Sequence, residues 1–307
     1  MQSDIIRIGT RASPLAMAQA QETARLLVSS GRTSEAVRIV PIRTSGDRIQ
    51  DRPLAEAGGK GLFTKEIEEA LLAGEIDIAV HSAKDVPASL PDGLELGAFL
   101  KREDARDAFI GRDAPEIDAL PQGAKVATSS PRRRAMLLRY RKDLQVIDIR
   151  GNVDTRLRKL SEGYADATLL AIAGLRRLGL GNRASSLIGT DIFVPAVGQG
   201  AIAIEMRSGD VRISEALAGI AHGDTSIAVE AERAFQAALG GSCRTPIGGH
   251  AVIEGGRVLF HGIIVTPDGQ SALETHRQGE PGDARRLGRE AGEELARLGG
   301  PRFFDKA

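Results

Sequence analysis

The sequence predicts an α/β protein with two similar domains and a small third domain of the α+β class. Three observations support this prediction: strands and helices alternate in the first part of the chain, their motifs recur in order further on, and short alternating strands follow Thr225. Alternating strands and helices typically form parallel sheets covered by helices, whereas short strands joined by glycine-rich turns form antiparallel sheets.

The opening elements are expected in the order strand, helix, strand, helix, strand. Residues 5–9 (IIRIG) form a short apolar strand, and Ser13, followed by proline, is a suitable N-cap for the first helix. Residues 36–47 supply the second strand and a polar loop. A glycine-rich loop then leads into a helix that ends at Gly74, and residues 75–82 form the third strand.

The same order returns between residues 124 and 174, which indicates a second domain of the same design. Matching features occur in pairs at Ser13 and Ser130, Arg43 and Arg150, and Gly74 and Gly163. In such sheets ligands bind beyond the carboxyl ends of the strands, so two facing domains would form a cleft lined by the loops that follow the strands.

The last part of the chain predicts a helix, three antiparallel strands and a closing helix. The first of these helices has Thr225 as its expected cap and Gly240 as its end. We expect the strand AIAIEMR to return to the first domain. The predicted boundaries are residues 1–100 with 199–219 for domain 1, 101–198 for domain 2 and 220–307 for domain 3.

Composition excludes several classes of protein. The formal net charge is zero, which does not favour a nucleic-acid or membrane-surface partner. No apolar run reaches the roughly 20 residues of a membrane span, and the first residues show no secretion signal. The single cysteine forms no internal disulfide, so we expect a cytoplasmic protein.

Arginine is enriched at positions where it suits anion binding. Of 41 basic residues 33 are Arg, a bias that a GC-rich genome would also produce. Ten Arg lie between Arg132 and Arg177 against five acidic residues, and Arg132 and Arg133 open a helix directly after TSSP. Helix N-termini and guanidinium groups both favour anions. The pattern predicts a ligand with several carboxylates or phosphates.

The motif HSAKDVP follows the third strand and contains the candidate catalytic group. Asp85 is a candidate acid, or an acceptor for N–H groups of a substrate, and a loop salt bridge with Lys84 is the structural alternative. His81 has either a catalytic or a structural role. The spacing of the five histidines lacks an H-x-x-x-H motif, which argues against a metal site built from histidines.

Cys243, in the stretch LGGSCRTPIGGH, has three possible roles. It is an inert thiol, a nucleophile with His250 as its partner, or the anchor of a covalently bound group on a flexible loop. The glycine-rich loop around Lys60 lacks the spacing of a phosphate-binding P-loop.

Together these motifs resemble the porphobilinogen deaminase (hydroxymethylbilane synthase) family over essentially the whole chain. The matching segments are GTRASPLAMAQ, RTSGD, GGKGLF, HSAKDVP, TSSPRRRA, IRGNVDTRL, PAVGQGAIAIE and GGSCRTPIG. Small departures from the family pattern occur at Ala83 and Ser242 and leave the charged and reactive groups in place.

The resemblance implies a transferase of tetrapyrrole (haem) biosynthesis. It would deaminate and condense four porphobilinogen molecules head to tail into hydroxymethylbilane, primed by a dipyrromethane cofactor held by a thioether at Cys243. It also implies two domains like type II periplasmic binding proteins, no metal, no nucleic acid or membrane partner, and a monomer.

The resemblance assigns roles to residues of this chain. Asp85 would be the catalytic carboxylate, Cys243 the attachment point, and Lys60 and Phe63 part of a mobile loop. The cofactor would be bound by Ser82, Lys84, Asp85, Thr128, Ser129, Ser130, Arg132, Arg133, Arg150 and Gly151. The substrate would be bound by Arg11, Ser13, Gln19, Arg150, Arg156, Arg177, Gln199 and Gly200.

Two other functions are compatible with parts of the pattern. A solute-binding protein for an oligo-anion would explain the paired domains, although it has no use for Cys243 or Asp85 and is normally exported. A cysteine hydrolase or transferase would use Cys243 as a transient nucleophile. A stable mass increase at Cys243 would distinguish the anchor from both.

Overall fold

The computed structural model describes residues 5–48, 64–240, 245–301 and 303–305. Its strands are β1 (Ile6–Arg11), β2 (Val37–Ile42), β3 (Ile78–Ser82), β4 (Leu94–Phe99), β5 (Asp107–Gly111), β6 (Lys125–Ala127), β7 (Gln145–Ile147), β8 (Ala167–Ala171), β9 (Ser186–Leu187), β10 (Ile202–Arg207), β11 (Ile247–Glu254), β12 (Arg257–Val265) and β13 (Ala272–Gly279). Its α-helices are α1 (Pro14–Ser29), α2 (Ser45–Arg48), α3 (Lys65–Leu72), α4 (Pro131–Tyr140), α5 (Val153–Ser161), α6 (Ile172–Arg177), α7 (Val211–Ala218), α8 (Gly223–Ala238) and α9 (Ala284–Gly299).

The chain forms two compact units, Met1–Arg102 with Ala201–Ser226 and Glu103–Gly200 with Ile227–Ala307. The sheet of the first unit has the order β2-β1-β3-β10-β4. Strands β1 to β4 run in one direction, because β10 is antiparallel to both of its neighbours. The return of AIAIEMR to the first sheet, as strand β10, is confirmed.

The first sheet of the second unit repeats this topology with the order β7-β6-β8-β5-β9. Its one reversed strand, β5, is again fourth in the order and antiparallel to both neighbours. The predicted pair of similar α/β sheets is therefore confirmed. In the first sheet the reversed strand β10 comes from a distant part of the chain, whereas in the second sheet the reversed strand β5 comes just before the other strands of that sheet.

The second unit also contains the three-stranded antiparallel sheet β11-β12-β13, as predicted. One face of this sheet packs on α8 and α9 through a core that includes Phe235, Phe260 and Leu295. The two helices approach closely: a Cβ added to Gly288 would lie 1.9 Å from the carbonyl oxygen of Ala231. A residue larger than glycine at that position would push the helices apart.

The opposite face of the antiparallel sheet packs on the preceding α/β sheet and its helices. Ile263 and Val265 belong to the core that contains Phe109 and Phe193, and the Gly249 amide donates to the Pro195 carbonyl. The division into three domains stays a prediction, since these parts of the second and third predicted domains share one core.

Most predicted helix ends agree with the structure, and one start was wrong. Ser13 and Ser130 cap α1 and α4 through their hydroxyl oxygens. Thr225 is not the cap of α8, which begins earlier, at Gly223. His222 caps this helix instead, because its Nδ1 accepts from the Thr225 amide at 3.2 Å. The Thr225 hydroxyl oxygen accepts from the Arg102 amide.

Within the described residues, no helix is both long enough and apolar enough to cross a membrane.

Candidate active site

A pocket in the first unit collects five of the residues predicted to bind cofactor or substrate or to act in catalysis, together with His81. It lies at the carboxyl ends of β1 and β3, where parallel strands of an α/β sheet present their loops. Its lining consists of Arg11, Ser13, Leu15, Ala16, Gln19, Thr64, Val80, His81, Ser82 and Asp85. The predicted members are Arg11, Ser13, Gln19, Ser82 and Asp85, which come from the end of β1, the start and first half of α1, and the end of β3 with its loop.

A buried polar pair fixes one wall of this pocket. Gln19 on α1 is 3% exposed. Its Nε2 donates to Ser82 Oγ at 2.9 Å, with Oε1 3.2 Å from the same hydroxyl. Because both groups of the amide lie near one hydroxyl, the end of β3 is held against α1. This pair therefore positions the loop that carries Asp85.

Asp85 lies in a short 3₁₀ turn, Ala83–Asp85, directly after β3. Ala83 is buried and its amide donates to the Ala201 carbonyl, while the Val86 amide closes the turn onto Ala83. Asp85 itself is exposed and Lys84 is half-buried. A rigid turn with a solvent-facing carboxylate suits a group that must reach a bound molecule.

Two buried ionisable side chains form a pair beside this pocket. His81 Nε2 lies 3.1 Å from Glu205 Oε2, and both side chains are almost completely buried. The contact joins neighbouring strands β3 and β10. Nearby on α3, burial raises the pKa of Glu68, and the charge of Glu205 acts in the same direction. The His81 side chain is thus held by Glu205, a partner that the sequence did not indicate.

In the second unit, three hydroxyl residues follow β6 and organise the edge of its sheet. Ser129 Oγ donates to the Ile149 carbonyl at 2.7 Å and accepts from the Ile149 amide. Thr128 Oγ1 accepts from the Ser130 amide. These bonds tie the loop after β6 to the loop after β7.

The two arginines that open α4 are both buried and share one carboxylate. Asp107 on β5 is fully buried; its Oδ2 accepts from Arg132 Nη2 at 2.7 Å and its Oδ1 from Arg133 Nη2 at 2.7 Å. Burial by itself would raise the pKa of Asp107, but the two guanidinium groups outweigh it and hold that pKa well below its usual range. Two cations and one anion leave a net positive charge of one elementary unit.

Gln199, which the sequence predicts as a substrate-binding residue, donates hydrogen bonds to this cluster. Its side chain is completely buried, and Nε2 donates to Asp107 Oδ1 at 2.9 Å and to the Ala105 carbonyl at 2.7 Å. Gly200 has φ +91°, and a Cβ there would lie 2.3 Å from the Glu103 carbonyl oxygen. Both residues shape the chain segment that returns from the second unit.

The remaining predicted residues of the second unit lie in the loops after β7 and β8. Arg150 and Gly151 follow β7, and the Gly151 carbonyl accepts from Arg156 Nε at 2.9 Å. Gly151 has φ +113° and faces Thr155 closely, so only glycine fits there. Arg177 ends α6, the helix that follows β8. Parallel strands bring these loops to one edge of the sheet.

The described residues that were predicted for the site thus form one group in the first unit and another in the second. Cys243, Lys60 and Phe63 lie outside the described residues, and the cleft between the two domains stays a prediction. Sequence reasoning missed Asp107 and Glu205. The only signal for each was a single acidic residue within an apolar strand, which is costly to bury unless paired.

Comparisons with known proteins agree with the motifs over nearly the full length. The family model described as "Porphobilinogen deaminase, dipyromethane cofactor binding domain" matches residues 6–215, and "Porphobilinogen deaminase, C-terminal domain" matches residues 226–297. Porphobilinogen deaminase of Nitrobacter winogradskyi is 56% identical over 305 residues, covering 99% of this chain and 96% of that protein. The same enzyme of Nitrobacter hamburgensis is 57% identical with the same coverage.

Solved structures with a similar chain path include binding proteins. A putative methionine-binding lipoprotein of Bacillus subtilis has a TM-score of 0.46 at 14% identity, covering 72% of this chain and 92% of that one. A periplasmic substrate-binding protein of Coxiella burnetii has a TM-score of 0.42 at 18% identity, covering 70% and 92% respectively.

Proposed function

The chain belongs to the porphobilinogen deaminase family, and we propose that Asp85 is its catalytic carboxylate and that the pocket around Asp85 receives porphobilinogen. Members of this family deaminate porphobilinogen and condense four molecules into hydroxymethylbilane on a dipyrromethane primer. The observation that carries the assignment of the site is the convergence of five predicted residues in one pocket.

The chemistry of the reaction explains why an exposed carboxylate is useful here. Loss of ammonia from porphobilinogen leaves a cation on the substrate's methylene-pyrrole group. A carboxylate near the pyrrole N–H stabilises that positive charge, and it can accept the proton that is released when the new carbon–carbon bond forms. Asp85 meets both needs because its turn is anchored by the buried Ala83 while its own side chain faces solvent.

The other pocket residues orient the substrate rather than react with it. Porphobilinogen bears an acetate and a propionate, and the guanidinium of Arg11 is a suitable partner for one of these carboxylates. Ser13 stands at the positive end of α1, which also favours an anion. Gln19 and Ser82 keep the β3 loop in place through their mutual contact.

The donor set of the second unit fits a dipyrromethane cofactor. Its acetate and propionate groups need cationic and hydroxyl donors, and one sheet edge carries Arg150, Arg156 and Arg177 beside the Thr128–Ser130 loop. Among the described residues, the buried Nε of Arg132 has no hydrogen-bond partner. The net positive charge around Asp107 also favours an anion. When bound, the cofactor supplies the free pyrrole carbon to which the first substrate is joined.

The Asp85 assignment is tested by Asp85→Asn in the holoenzyme. We expect kcat to fall about 100-fold or more, the usual effect of losing a group that acts in proton transfer. The melting temperature should be unchanged because Asp85 is exposed, and the cofactor should be retained because its proposed covalent bond is to Cys243. Asp92→Asn, at another exposed aspartate of the same unit, is the matched control and should keep the wild-type rate. A wild-type rate in Asp85→Asn would overturn the assignment.

Cys243 is proposed as the attachment point of the cofactor. Intact-mass measurement of protein from cells that make porphobilinogen should show an added mass of about two pyrrole units, lost in Cys243→Ser. A thioether is stable to mild hydroxylamine, whereas an acyl-enzyme thioester is not, so treatment with hydroxylamine separates an anchor from a transient nucleophile. Wild-type protein without the added mass would contradict the anchor.

We further propose that the enzyme acts as a monomer in the cytoplasm. The large exposed apolar side chains of the described residues are spread over both units, among them Leu26, Tyr164 and Leu298. Isolated exposed apolar residues are normal for a monomer, and the single cysteine is compatible with a reducing compartment.

A further inference from the structure

Three of the five histidines of the chain form one row across the antiparallel sheet of the second unit. In the register of this sheet, His250 on β11 pairs with His261 on β12, and His261 pairs with His276 on β13. Directly paired residues of an antiparallel sheet project from the same face. The row is invisible in the sequence, where the three histidines have no metal-binding spacing.

Glu274 completes a compact cluster with two of these histidines. It lies on the same face as His276, since side chains alternate along a strand. Its Oε2 is 3.4 Å from His261 Nε2, and the rings of His261 and His276 stack with centroids 4.1 Å apart. One ligand atom from each of the three residues lies within 4.8 Å of the others.

One ring nitrogen of His261 is available to a metal ion. Among the described residues, His261 Nε2 is buried and makes no hydrogen bond, because its 3.4 Å contact with Glu274 Oε2 lacks hydrogen-bond geometry. A buried nitrogen without a partner is costly unless a ligand satisfies it.

We propose that His261, Glu274 and His276 bind a divalent transition-metal ion of the zinc type. Two imidazoles and one carboxylate are a recurrent donor set for Zn²⁺, which binds them at about 2.0–2.2 Å and leaves one position open. Glu274 and His276 are exposed, so the ion enters directly and these two side chains rotate towards it. The site contains no residue of the proposed active site.

The charged groups around the cluster are compatible with one dication. Arg139 on α4 lies 4.0 Å from Glu274 Oε1, which leaves Oε2 directed towards His261. Asp191, from the segment after β9, adds negative charge near His261. His250 flanks the row on β11. With the carboxylates of Glu274 and Asp191 opposing the guanidinium of Arg139, these three groups carry no excess positive charge.

Zn²⁺ titration of the holoenzyme by calorimetry tests the site. At pH 7.5 we expect saturable binding of one Zn²⁺ per chain and no detectable binding of Mg²⁺, which prefers oxygen ligands. His276→Gln and Glu274→Gln should each weaken Zn²⁺ binding at least tenfold. Both positions are exposed, so the variants should melt like the wild type. Glu280→Gln, an exposed glutamate beyond the same strand, is the matched control.

The absorption spectrum of Co²⁺, bound in place of Zn²⁺, identifies which side chains bind the ion. The visible bands of tetrahedral Co²⁺ should appear without the near-ultraviolet thiolate band that binding at Cys243 would add, and they should fade as the pH falls through about 6.5, where imidazoles become protonated. Equal Zn²⁺ affinity in the wild type and in both variants, a thiolate band that accounts for the bound ion, or no saturable binding at all would each overturn the proposal.

Discussion

At the scale of single residues, Arg132 and Arg133 share one buried counter-ion, the carboxylate of Asp107 on β5. Their position at the start of α4 predicts that they bind an anionic ligand. The structure directs both of their guanidinium groups to Asp107, so their positive charge is only partly balanced and is held in a fixed position. Residue type and helix position predict an anion-binding arginine well, but they do not tell which arginine already has a buried partner.

Asp107 should be among the residues that contribute most to the stability of the second unit. In Asp107→Asn two buried guanidinium groups lose their shared counter-ion, and breaking a buried ion pair costs about 3–5 kcal/mol. We expect a clear fall in melting temperature at pH 7. Asp113→Asn is the matched control: its carboxylate pairs with Arg112 at the surface, where a pair is worth about 0–1 kcal/mol.

The pH dependence of this effect follows from the depressed pKa of Asp107. A depressed pKa in the folded state means that the carboxylate stabilises the fold above its unfolded pKa of about 3.9 and loses this contribution as the pH falls further. The deficit of Asp107→Asn relative to the wild type should therefore shrink below about pH 4. Equal melting temperatures of wild type and variant at pH 7 would contradict the assigned role.

At the scale of elements, capping and periodicity predicted most helices and strands correctly. Ser13 and Ser130 cap α1 and α4 as expected, because a hydroxyl before proline satisfies free amides of the first turn whatever the rest of the fold does. The start of α8 was wrong because His222, a residue type with no strong preference for caps, takes that role. The proposed metal site depends on the strand register of β12 and β13, which histidine spacing does not reveal.

At the scale of the whole molecule, the two α/β sheets share one strand order although their loops differ in length. The duplication of the α/β domain was predicted from motifs that recur in the same order along the chain. The sequence predicted the position of one reversed strand, β10, in the first sheet. It did not predict β5, which comes just before the other strands of the second sheet. Each reversed strand pairs with a neighbour on both sides, and through β10 the first unit depends on a segment that is distant along the chain.

The monomer proposal is decided by measuring the mass of the holoenzyme in solution. Size-exclusion chromatography with light scattering should give the mass of one chain over a hundredfold range of concentration. A mass that rises with concentration would contradict the proposal. The Zn²⁺-loaded protein should give the same value, because the proposed metal ligands all belong to one chain.

The sequence by itself determined the alternation of strands and helices, the duplicated design, the family and the polar loops at the strand ends. These features depend on short stretches of chain, where periodicity, caps and motif residues act locally. Only the tertiary structure decided that Arg132 and Arg133 share Asp107, that His81 pairs with Glu205, and that His261 meets His276. Each of these contacts joins separate elements, so it depends on which strands become neighbours and in what register.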